Sequence, residues 1–321
     1  MYQRRYWLGF LILIVLASAG CNNIGENPPT GTPDLQATID AAVAATATAQ
    51  VEAGVSDEYY EMTEEELATM IAAYAEESLT ASEEASQAVD EAAQDGTITK
   101  EEQEHIEMVV SDAEQAVAET DEAIYAYYWL YSELADETLS LFEEIEDDID
   151  ELSALTLELV ELLDEVDQAL GNGLEVAQET IEQMQSTASQ IQSNVGNWQG
   201  KGEAWVAALQ AELEQRASLL SEIQPSEVAG NPREALLSAF GYVDAVREAL
   251  ADKKLTSPEL SDITQLGVNA MASLDAFGGP QLQNLSGNID AISTQLARGQ
   301  ISAAQSGLGA LETALGSRPS R

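Results

Sequence analysis

The sequence predicts an all-α protein, in which a long, coiled-coil-like antiparallel helical hairpin or bundle is followed by a small four-helix C-terminal domain. Three observations lead to this fold class. Apolar residues recur at the three- and four-residue spacing of a helix face, helix-start signatures occur repeatedly, and no segment alternates apolar and polar residues as a strand does. Gly and Pro residues separate the periodic segments and mark the predicted helix ends.

The first 21 residues have the layout of an export signal. Arg4 and Arg5 precede an uncharged run at residues 6–19, and small residues then lead to Cys21, the only cysteine in the chain. This run of 14 residues is shorter than the roughly 20 apolar residues that a membrane-spanning helix needs, which favours a cleaved signal. Because there is one cysteine, no intrachain disulfide can form, and stability must come from packing.

The segment Ala17-Ser18-Ala19-Gly20-Cys21 resembles the lipobox of bacterial lipoproteins, although that family usually has Leu where this chain has Ser18. The resemblance covers residues 1–21. It implies cleavage just before Cys21, whose thiol would carry a diacylglyceryl group and whose new amino group would be acylated. Two or three acyl chains hold a protein stably on a membrane, whereas one does not. The alternatives are a secreted protein cut nearby, with a free cysteine, and an uncleaved anchor.

Residues 21–56 are the predicted tether between the membrane and the folded part. Residues 22–33 are rich in Asn, Pro, Gly and Thr, a composition typical of flexible linkers, and residues 34–53 are mainly Ala and Thr. Pro33 stands at a plausible first helical position, but the threonines disfavour a helix. We therefore expect a flexible tether with a marginal Ala/Thr helix.

Capping boxes mark the helix starts. In this motif a Thr or Ser side chain bonds the backbone amide of the residue three positions later. The Glu or Gln side chain at that later position bonds the backbone amide of the Thr or Ser. The pattern occurs at Thr63 with Glu66, Thr99 with Glu102, Thr256 with Glu259 and Ser302 with Gln305. Together with the Gly and Pro positions it predicts helices over residues 64–94, 100–170, 174–224, 232–251, 257–277, 281–298 and 302–315.

The segment 100–170 carries the clearest periodicity in the chain. Two seams with seven-residue steps run through it, one from Val110 to Val166 and one from Ile106 to Ala169, as in a coiled coil. An uninterrupted helix of this length would extend about 105 Å. Further apolar residues widen the stripe, so we expect neighbouring helices from the same chain, with reversals at Gly96 and at residues 171–173.

Aromatic residues concentrate near the middle of this segment. They are Tyr125, Tyr127, Tyr128, Trp129 and Tyr131. Aromatic residues at helical spacing are most often core residues, so we expect them to fill a junction with the neighbouring helices. An exposed ligand platform is the alternative. Glycines around Trp198 predict a break or kink in helix 174–224.

The second half of the chain has sparser, mixed charges and shorter predicted helices, which indicates a separate small domain. The stretch from Pro225 to Pro232 is the expected boundary. The predicted division is a signal peptide at 1–20, a tether at 21–56, an acidic long-helix bundle at 57–224, a small helical domain at 225–316 and a disordered tail at 317–321.

The charge of the chain limits its partners. It has 58 acidic and 12 basic residues, a net charge of −46, and residues 57–170 contain 37 acidic residues against one basic residue, Lys100. Such a field repels nucleic-acid phosphates and attracts divalent cations and basic proteins. We therefore expect no nucleic-acid partner. We expect the acidic side chains to form a solvated face that keeps the protein soluble, and a surface that binds a basic or envelope protein is the alternative.

Calcium binding is one alternative function. Asp95-Gly96-Thr97-Ile98 with Glu102 resembles the second half of an EF-hand loop over residues 91–102. The first half departs from the motif, since Glu91 replaces the first Asp and Ala93 stands where an oxygen ligand is needed. Glu102 also belongs to a capping box, so we expect a helical hairpin rather than a metal site.

No catalytic, cofactor-binding or metal-binding residue is predicted. His105 is the only histidine and is expected on the outer side of its helix, which removes histidine-based acid–base chemistry and histidine-rich metal sites. Gly200-Lys201 lacks the other residues of a phosphate loop. Cys21, as a lipidation site, is the single predicted site residue.

We therefore expect a non-enzymatic lipoprotein, anchored through Cys21 on the extracytoplasmic side of a bacterial cell membrane or envelope. Its helices would serve as a structural or protein-interaction module. The alternatives are divalent-cation binding through the acidic helices or the loop at 91–102, and a helical ligand-binding or sensing lipoprotein whose C-terminal helices hold the ligand.

Overall fold

The computed structural model describes residues 55–134, 138–198 and 200–318. Cys21, the predicted signal and the predicted tether as far as residue 54 lie outside these residues. The described part is all-α, without a strand. Its helices are α1 Asp57–Glu61, α2 Glu64–Ala92, α3 Lys100–Tyr131, α4 Leu139–Gly171, α5 Gln178–Trp198, α6 Lys201–Leu220, α7 Pro232–Ala249, α8 Ser257–Phe277, α9 Pro280–Ala297 and α10 Ile301–Leu315.

Helices α2 to α6 form an antiparallel four-helix bundle, in which α5 and α6 together make the fourth side. Helix α2 packs along α3, α3 along α4 and α4 along α5, and both α5 and α6 return to α2. The core is built from the predicted apolar stripes, and Leu67, Ile71, Ile106 and Ile145 are fully buried in it. The predicted all-α fold class is therefore confirmed.

The predicted continuous helix over residues 100–170 is wrong. Helix α3 ends at Tyr131, α4 begins at Leu139, and the two helices pack against each other. In the intervening turn Leu134 is buried, and its amide donates to the Tyr131 carbonyl at 2.8 Å. A single helix of this length would leave much of its apolar stripe without neighbours, whereas a hairpin buries both halves.

Three of the four predicted capping boxes are present. Thr63 with Glu66, Thr99 with Glu102 and Thr256 with Glu259 each make both reciprocal bonds. The prediction at Ser302 with Gln305 is wrong, because α10 already begins at Ile301 with Gln300 as its N-cap. The preceding turn is closed by the Gln300 amide, which donates to the Gln295 carbonyl at 2.8 Å, so the chain starts a new helix without a hydroxyl cap.

The fourth side of the bundle is interrupted as predicted. Helix α5 ends at Trp198, and α6 begins after Gly200, whose φ of +84° is a left-handed conformation that glycine adopts without strain. Gly202, which has no side chain, lies against α2. A Cβ added to Gly202 would be 3.2 Å from the Ala72 Cβ. Trp198 and Trp205, on either side of the break, are buried.

Helices α7 to α10 form a second, smaller four-helix bundle. Helix α7 packs on α8, α8 on α9, α9 on α10, and α10 returns to α7. Tyr242 is fully buried at its centre, and its hydroxyl lies 3.0 Å from the Ser293 hydroxyl. Contacts between this bundle and the preceding helices include those of α9 with α6 and of α10 with α1. The predicted domain boundary near residue 225 stays a prediction.

Among the described residues, no helix has the length and apolar character required to cross a membrane.

Candidate functional site

The loop at residues 91–102 is occupied by its own hydrogen bonds. The Asp95 carboxylate accepts from the Thr97 amide and hydroxyl at 2.9 and 2.7 Å, bonds that hold the pKa of Asp95 below its usual range. The Glu102 carboxylate accepts from the Thr99 amide and hydroxyl. Within residues 55–134, 138–198 and 200–318, no group of three or more His, Cys, Asp or Glu side chains is placed to hold a metal ion.

The predicted aromatic cluster divides between the interior and the surface. Tyr127 and Tyr131 point inward, where the Tyr127 ring lies 4.7 Å from the Phe142 ring and 5.1 Å from the Trp205 ring between centroids. Tyr128 is 45% exposed, and its ring lies 6.4 Å from the Phe142 ring between centroids. The inner rings fill the end of the first bundle and do not form an exposed platform.

Beside these rings lies a buried group of ionisable side chains, which we call the Glu64 cluster: Glu64, Glu212 and Arg216, with Tyr127 and Tyr131. Glu64 is the first residue of α2, and the other two charged residues lie one turn apart on α6. The Arg216 Nη2 donates to both Glu64 carboxylate oxygens, at 2.9 and 2.8 Å, and the Tyr127 hydroxyl donates to Glu64 Oε1 at 3.3 Å. The bundle therefore buries charged groups that are hydrogen-bonded to each other.

Burial dominates the acid–base properties of this cluster. It raises the pKa of Glu64 to about 7, although the positive charge of Arg216 acts in the opposite direction. Burial also raises the pKa of Tyr127 and of Tyr131 above their ordinary value, so both hydroxyls stay protonated and can donate hydrogen bonds at neutral pH.

The cluster lies where the two bundles meet. The Tyr131 hydroxyl reaches the Met62 and Gly299 carbonyls at 3.0 and 3.2 Å, and the Glu64 amide donates to the same Gly299 carbonyl at 3.3 Å. Gly299 has a φ of +63° in the turn between α9 and α10. A Cβ there would lie 2.5 Å from the Glu64 Cβ, so this close approach requires glycine.

A small cleft adjoins the cluster. Its volume is about 210 Å³, and it is lined by Thr63, Glu65, Gln210, Leu213, Glu214, Arg298 and Gln300. Pockets for drug-sized ligands are larger, roughly 300 to 1,000 Å³, and mostly apolar. In the C-terminal bundle a groove follows the α8–α9 turn and is lined by residues 278–282 alone. The first cleft lies between the start of α2, helix α6 and the α9–α10 turn.

Comparisons with protein families, with curated proteins and with solved structures find no match to this chain.

The outer surface of the α3–α4 hairpin concentrates negative charge. Asp121 on α3 faces Glu146 and Asp150 on α4, and burial together with these two charges raises the pKa of Asp121 to about 7. The pKa values of Glu146 and Asp150 are raised as well, first by burial and then by neighbouring carboxylates. The part of these shifts that comes from neighbouring carboxylates reflects repulsion, which a positively charged partner would relieve.

Two lysines in the turn between α7 and α8 lie over aromatic rings of α1 and α3. The Lys254 Nζ lies 3.5 Å from the centroid of the Trp129 ring, and the Lys253 Nζ lies 4.7 Å from that of Tyr60. Hydrogen bonds at the start of α8 strengthen this contact. The Ser257 amide and hydroxyl donate to the Glu133 carbonyl at 3.3 and 2.7 Å. Cation–π contacts of this kind stabilise an interface at modest cost in desolvation.

Sequence reasoning missed both the Glu64 cluster and the lysine contacts. A signal for the first exists, because Arg216 is the only basic residue between Lys201 and Arg233 and lies on a helix with a buried face. Glu64 gave no such signal, since a Glu in the first turn of a helix is ordinarily a solvent-exposed partner of the helix dipole. His105 is exposed on α3, as the sequence predicted.

Proposed function

We propose that this protein is a lipid-anchored protein on the extracytoplasmic side of a bacterial cell membrane or envelope, and that its helical bundle is a structural or protein-interaction module rather than an enzyme. Cys21 is the proposed anchor, and a basic or envelope protein is the proposed partner.

The layout of residues 1–21 supports the anchor. Basic residues, an uncharged run and small residues precede a single cysteine in the order that lipoprotein signals share. A second acyl chain at the same residue would make membrane attachment stable, because each buried methylene contributes about 0.8 kcal/mol.

The observation that carries the interaction role is the acidic surface of α2, α3 and α4. The chain has 12 basic residues for 58 acidic ones, so pairing within the chain leaves most carboxylates without a cation. Burial raises the pKa values of Asp121, Glu146 and Asp150, and the charges of neighbouring carboxylates raise them further. A basic surface that approaches the hairpin gains attraction and removes repulsion within this protein.

Exposed apolar residues lie within this acidic surface. Met108 on α3 is 55% exposed and Leu157 on α4 is 51% exposed. Acidic residues flank both, with Glu107 beside Met108 and Glu158 beside Leu157. A mixture of apolar contact and surrounding charge is suited to a protein partner, since the apolar part contributes affinity and the charges contribute specificity and association rate.

Crosslinking in living cells tests the interaction role. A photo-activatable amino acid is placed at Met108 or at Leu157, and at Leu266 on α8 as a control, which is 39% exposed outside the acidic hairpin. We expect Met108 and Leu157 to crosslink to the same basic protein and Leu266 to give no such product. The proposal is contradicted if membrane-bound, folded protein gives no crosslinked partner at either hairpin position, or the same products at all three.

A further inference from the structure

Arg298 differs from the other basic side chains of the folded part. Within residues 55–134, 138–198 and 200–318, it is the one Lys or Arg side chain without an ion pair, a hydrogen bond or a contact with an aromatic ring. The chain has 58 acidic residues for 12 basic ones, so a cation that pairs with none of these carboxylates is unexpected. The guanidinium is therefore available to a carboxylate from outside the chain.

The small cleft brings Arg298 together with two carboxylates. Arg298 lies in the α9–α10 turn, and the same cleft is lined by Glu65 from α2 and Glu214 from α6. The guanidinium forms no ion pair with Glu65 or with Glu214, so the three charged groups line one space without bridging it. This space of about 210 Å³ is smaller than the pockets of drug-sized ligands and suits a smaller molecule.

Hydrogen bonds fix both walls of the cleft. In the α9–α10 turn, the Arg298 and Gln300 amides donate to the Gln295 carbonyl at 3.2 and 2.8 Å. On the opposite wall, the Gln210 side-chain amide on α6 donates to Glu65 Oε1 on α2 at 2.9 Å. The charged groups therefore stand on elements that are already ordered, which lowers the cost of binding a ligand.

The charges of the cleft determine the class of ligand that fits it. A simple anion would be repelled by the net charge of −46, although Arg298 attracts it. A simple cation would pair with the carboxylates and leave Arg298 without a partner. A zwitterion provides a partner for both kinds of group. Because the cleft has one carboxylate more than it has guanidinium groups, a zwitterion with a second positive group balances its charge.

We propose that this cleft binds a free basic α-amino acid, lysine or arginine. The α-carboxylate of the ligand pairs with the Arg298 guanidinium, and its two positive groups pair with Glu65 and Glu214. Its aliphatic chain lies against Leu213, the apolar residue of the lining. The ligand then joins α2 and α6 of the first bundle to the α9–α10 turn of the second. This site is separate from the acidic α3–α4 hairpin of the proposed function.

Isothermal titration calorimetry of the full chain, purified in detergent, tests the site with L-lysine, L-arginine, L-glutamate and cadaverine as probes. Cadaverine has both amino groups of lysine but no α-carboxylate, so it measures the attraction of a cation to the acidic surface alone. Arg298→Gln and Glu214→Gln each remove one charge of the cleft. The matched controls are Arg247→Gln, whose guanidinium pairs within the C-terminal bundle, and Glu203→Gln, which is exposed on α6 outside the cleft lining.

We expect L-lysine and L-arginine to bind at one site per chain, and L-lysine to bind about tenfold or more tightly than cadaverine, because its carboxylate adds a charge-assisted pair. L-Glutamate should not bind. Arg298→Gln should abolish the preference for L-lysine over cadaverine. Glu214→Gln should weaken L-lysine binding about tenfold or more, and both controls should bind as wild type does.

Three results would overturn the proposal. They are cadaverine that binds as tightly as L-lysine, an absence of binding by both basic amino acids at millimolar concentration, and an Arg298→Gln variant that keeps the preference for L-lysine. Circular dichroism shows whether each variant is folded. If Arg298→Gln does not fold, the comparison of Glu214→Gln with Glu203→Gln decides, because the two variants remove the same charge from one helix, and equal affinities for L-lysine contradict a site in the cleft.

Discussion

At the scale of single residues, close approach and burial decide which positions tolerate change. Gly299 is the sharpest case, because its left-handed backbone and its contact with Glu64 both exclude a side chain. Gly309, in the middle of α10, is the opposite case. No atom lies within 4 Å of a Cβ built there, and its backbone is helical.

We therefore expect Gly299→Ala to lower the free energy of unfolding by about 2 kcal/mol or more, from backbone strain and overlap with Glu64. Gly309→Ala should raise it by about 0.5 to 1 kcal/mol, because alanine loses less conformational freedom in a helix. Urea denaturation of the two variants measures both effects. Equal changes in the two variants would contradict the described contact between Gly299 and Glu64.

Neighbouring residues on α4 provide a second test. Ile145 is fully buried, and Ile145→Asp should destabilise the protein by about 3 kcal/mol or more, because it buries a charge without a partner. Glu146→Lys should be neutral or mildly stabilising, since Glu146 lies among Asp150, Asp147 and Glu143. Denaturant midpoints compare the two. Equal midpoints would mean that the α4 stripe is not buried.

At the scale of helices, the sequence predicts starts better than reversals. Thr63, Thr99 and Thr256 each begin a helix as their capping boxes indicate, because the hydrogen bonds are local and use residues three apart. The reversal at residues 171–173 follows from glycine, and Gly173 has a φ of +70°.

The reversal between α3 and α4 has no comparable local signal. Residues 132–138 contain neither Gly nor Pro, and the heptad phase continues through them to a buried Thr138. Tertiary contacts end α3. The Leu134 side chain is buried in the core, and the Glu133 carbonyl accepts from the hydroxyl of Ser257, more than one hundred residues later. The Glu64 cluster was missed for the same reason, since its partners come from α2, α3 and α6.

The failed prediction at Ser302 yields a test of capping. Thr256→Ala removes a side chain that accepts from the Glu259 amide, and we expect a loss of about 1 kcal/mol in the free energy of unfolding. Ser302→Ala changes a residue already inside α10 and should alter stability by less than about 0.5 kcal/mol. Thermal melts of both variants measure the two losses of stability. A large loss at Ser302 would mean that α10 starts there.

At the scale of the whole molecule, negative charge governs the response to pH. Burial and neighbouring carboxylates raise the pKa values of Glu64, Asp121, Glu146 and Asp150 in the folded chain. The folded form then binds more protons than the unfolded form between the ordinary carboxyl range and about pH 7. By linkage, stability rises as pH falls through this window and is lost as pH rises through about 7.

We therefore expect a higher melting temperature at about pH 5 than at about pH 8, opposite to a protein held by exposed salt bridges. Sodium chloride should also raise it at about pH 8, because the Debye length falls from about 10 Å at 0.1 M to about 3 Å at 1 M. Calcium is compared with sodium at matched ionic strength. A lower melting temperature at about pH 5 contradicts the repulsion argument, and calcium that equals sodium removes the cation-binding alternative.

We propose that this acidic bundle is held on a membrane through Cys21, and metabolic labelling with palmitate tests this proposal most directly. Wild type and Cys21→Ser are expressed in a bacterium with an alkyne-labelled palmitate, and the label and the membrane fraction of each protein are measured. We expect wild type to carry the label and to sediment with membranes, and Cys21→Ser to carry no label and to be released. An unlabelled wild-type protein whose mature N-terminus lies elsewhere would contradict the claim.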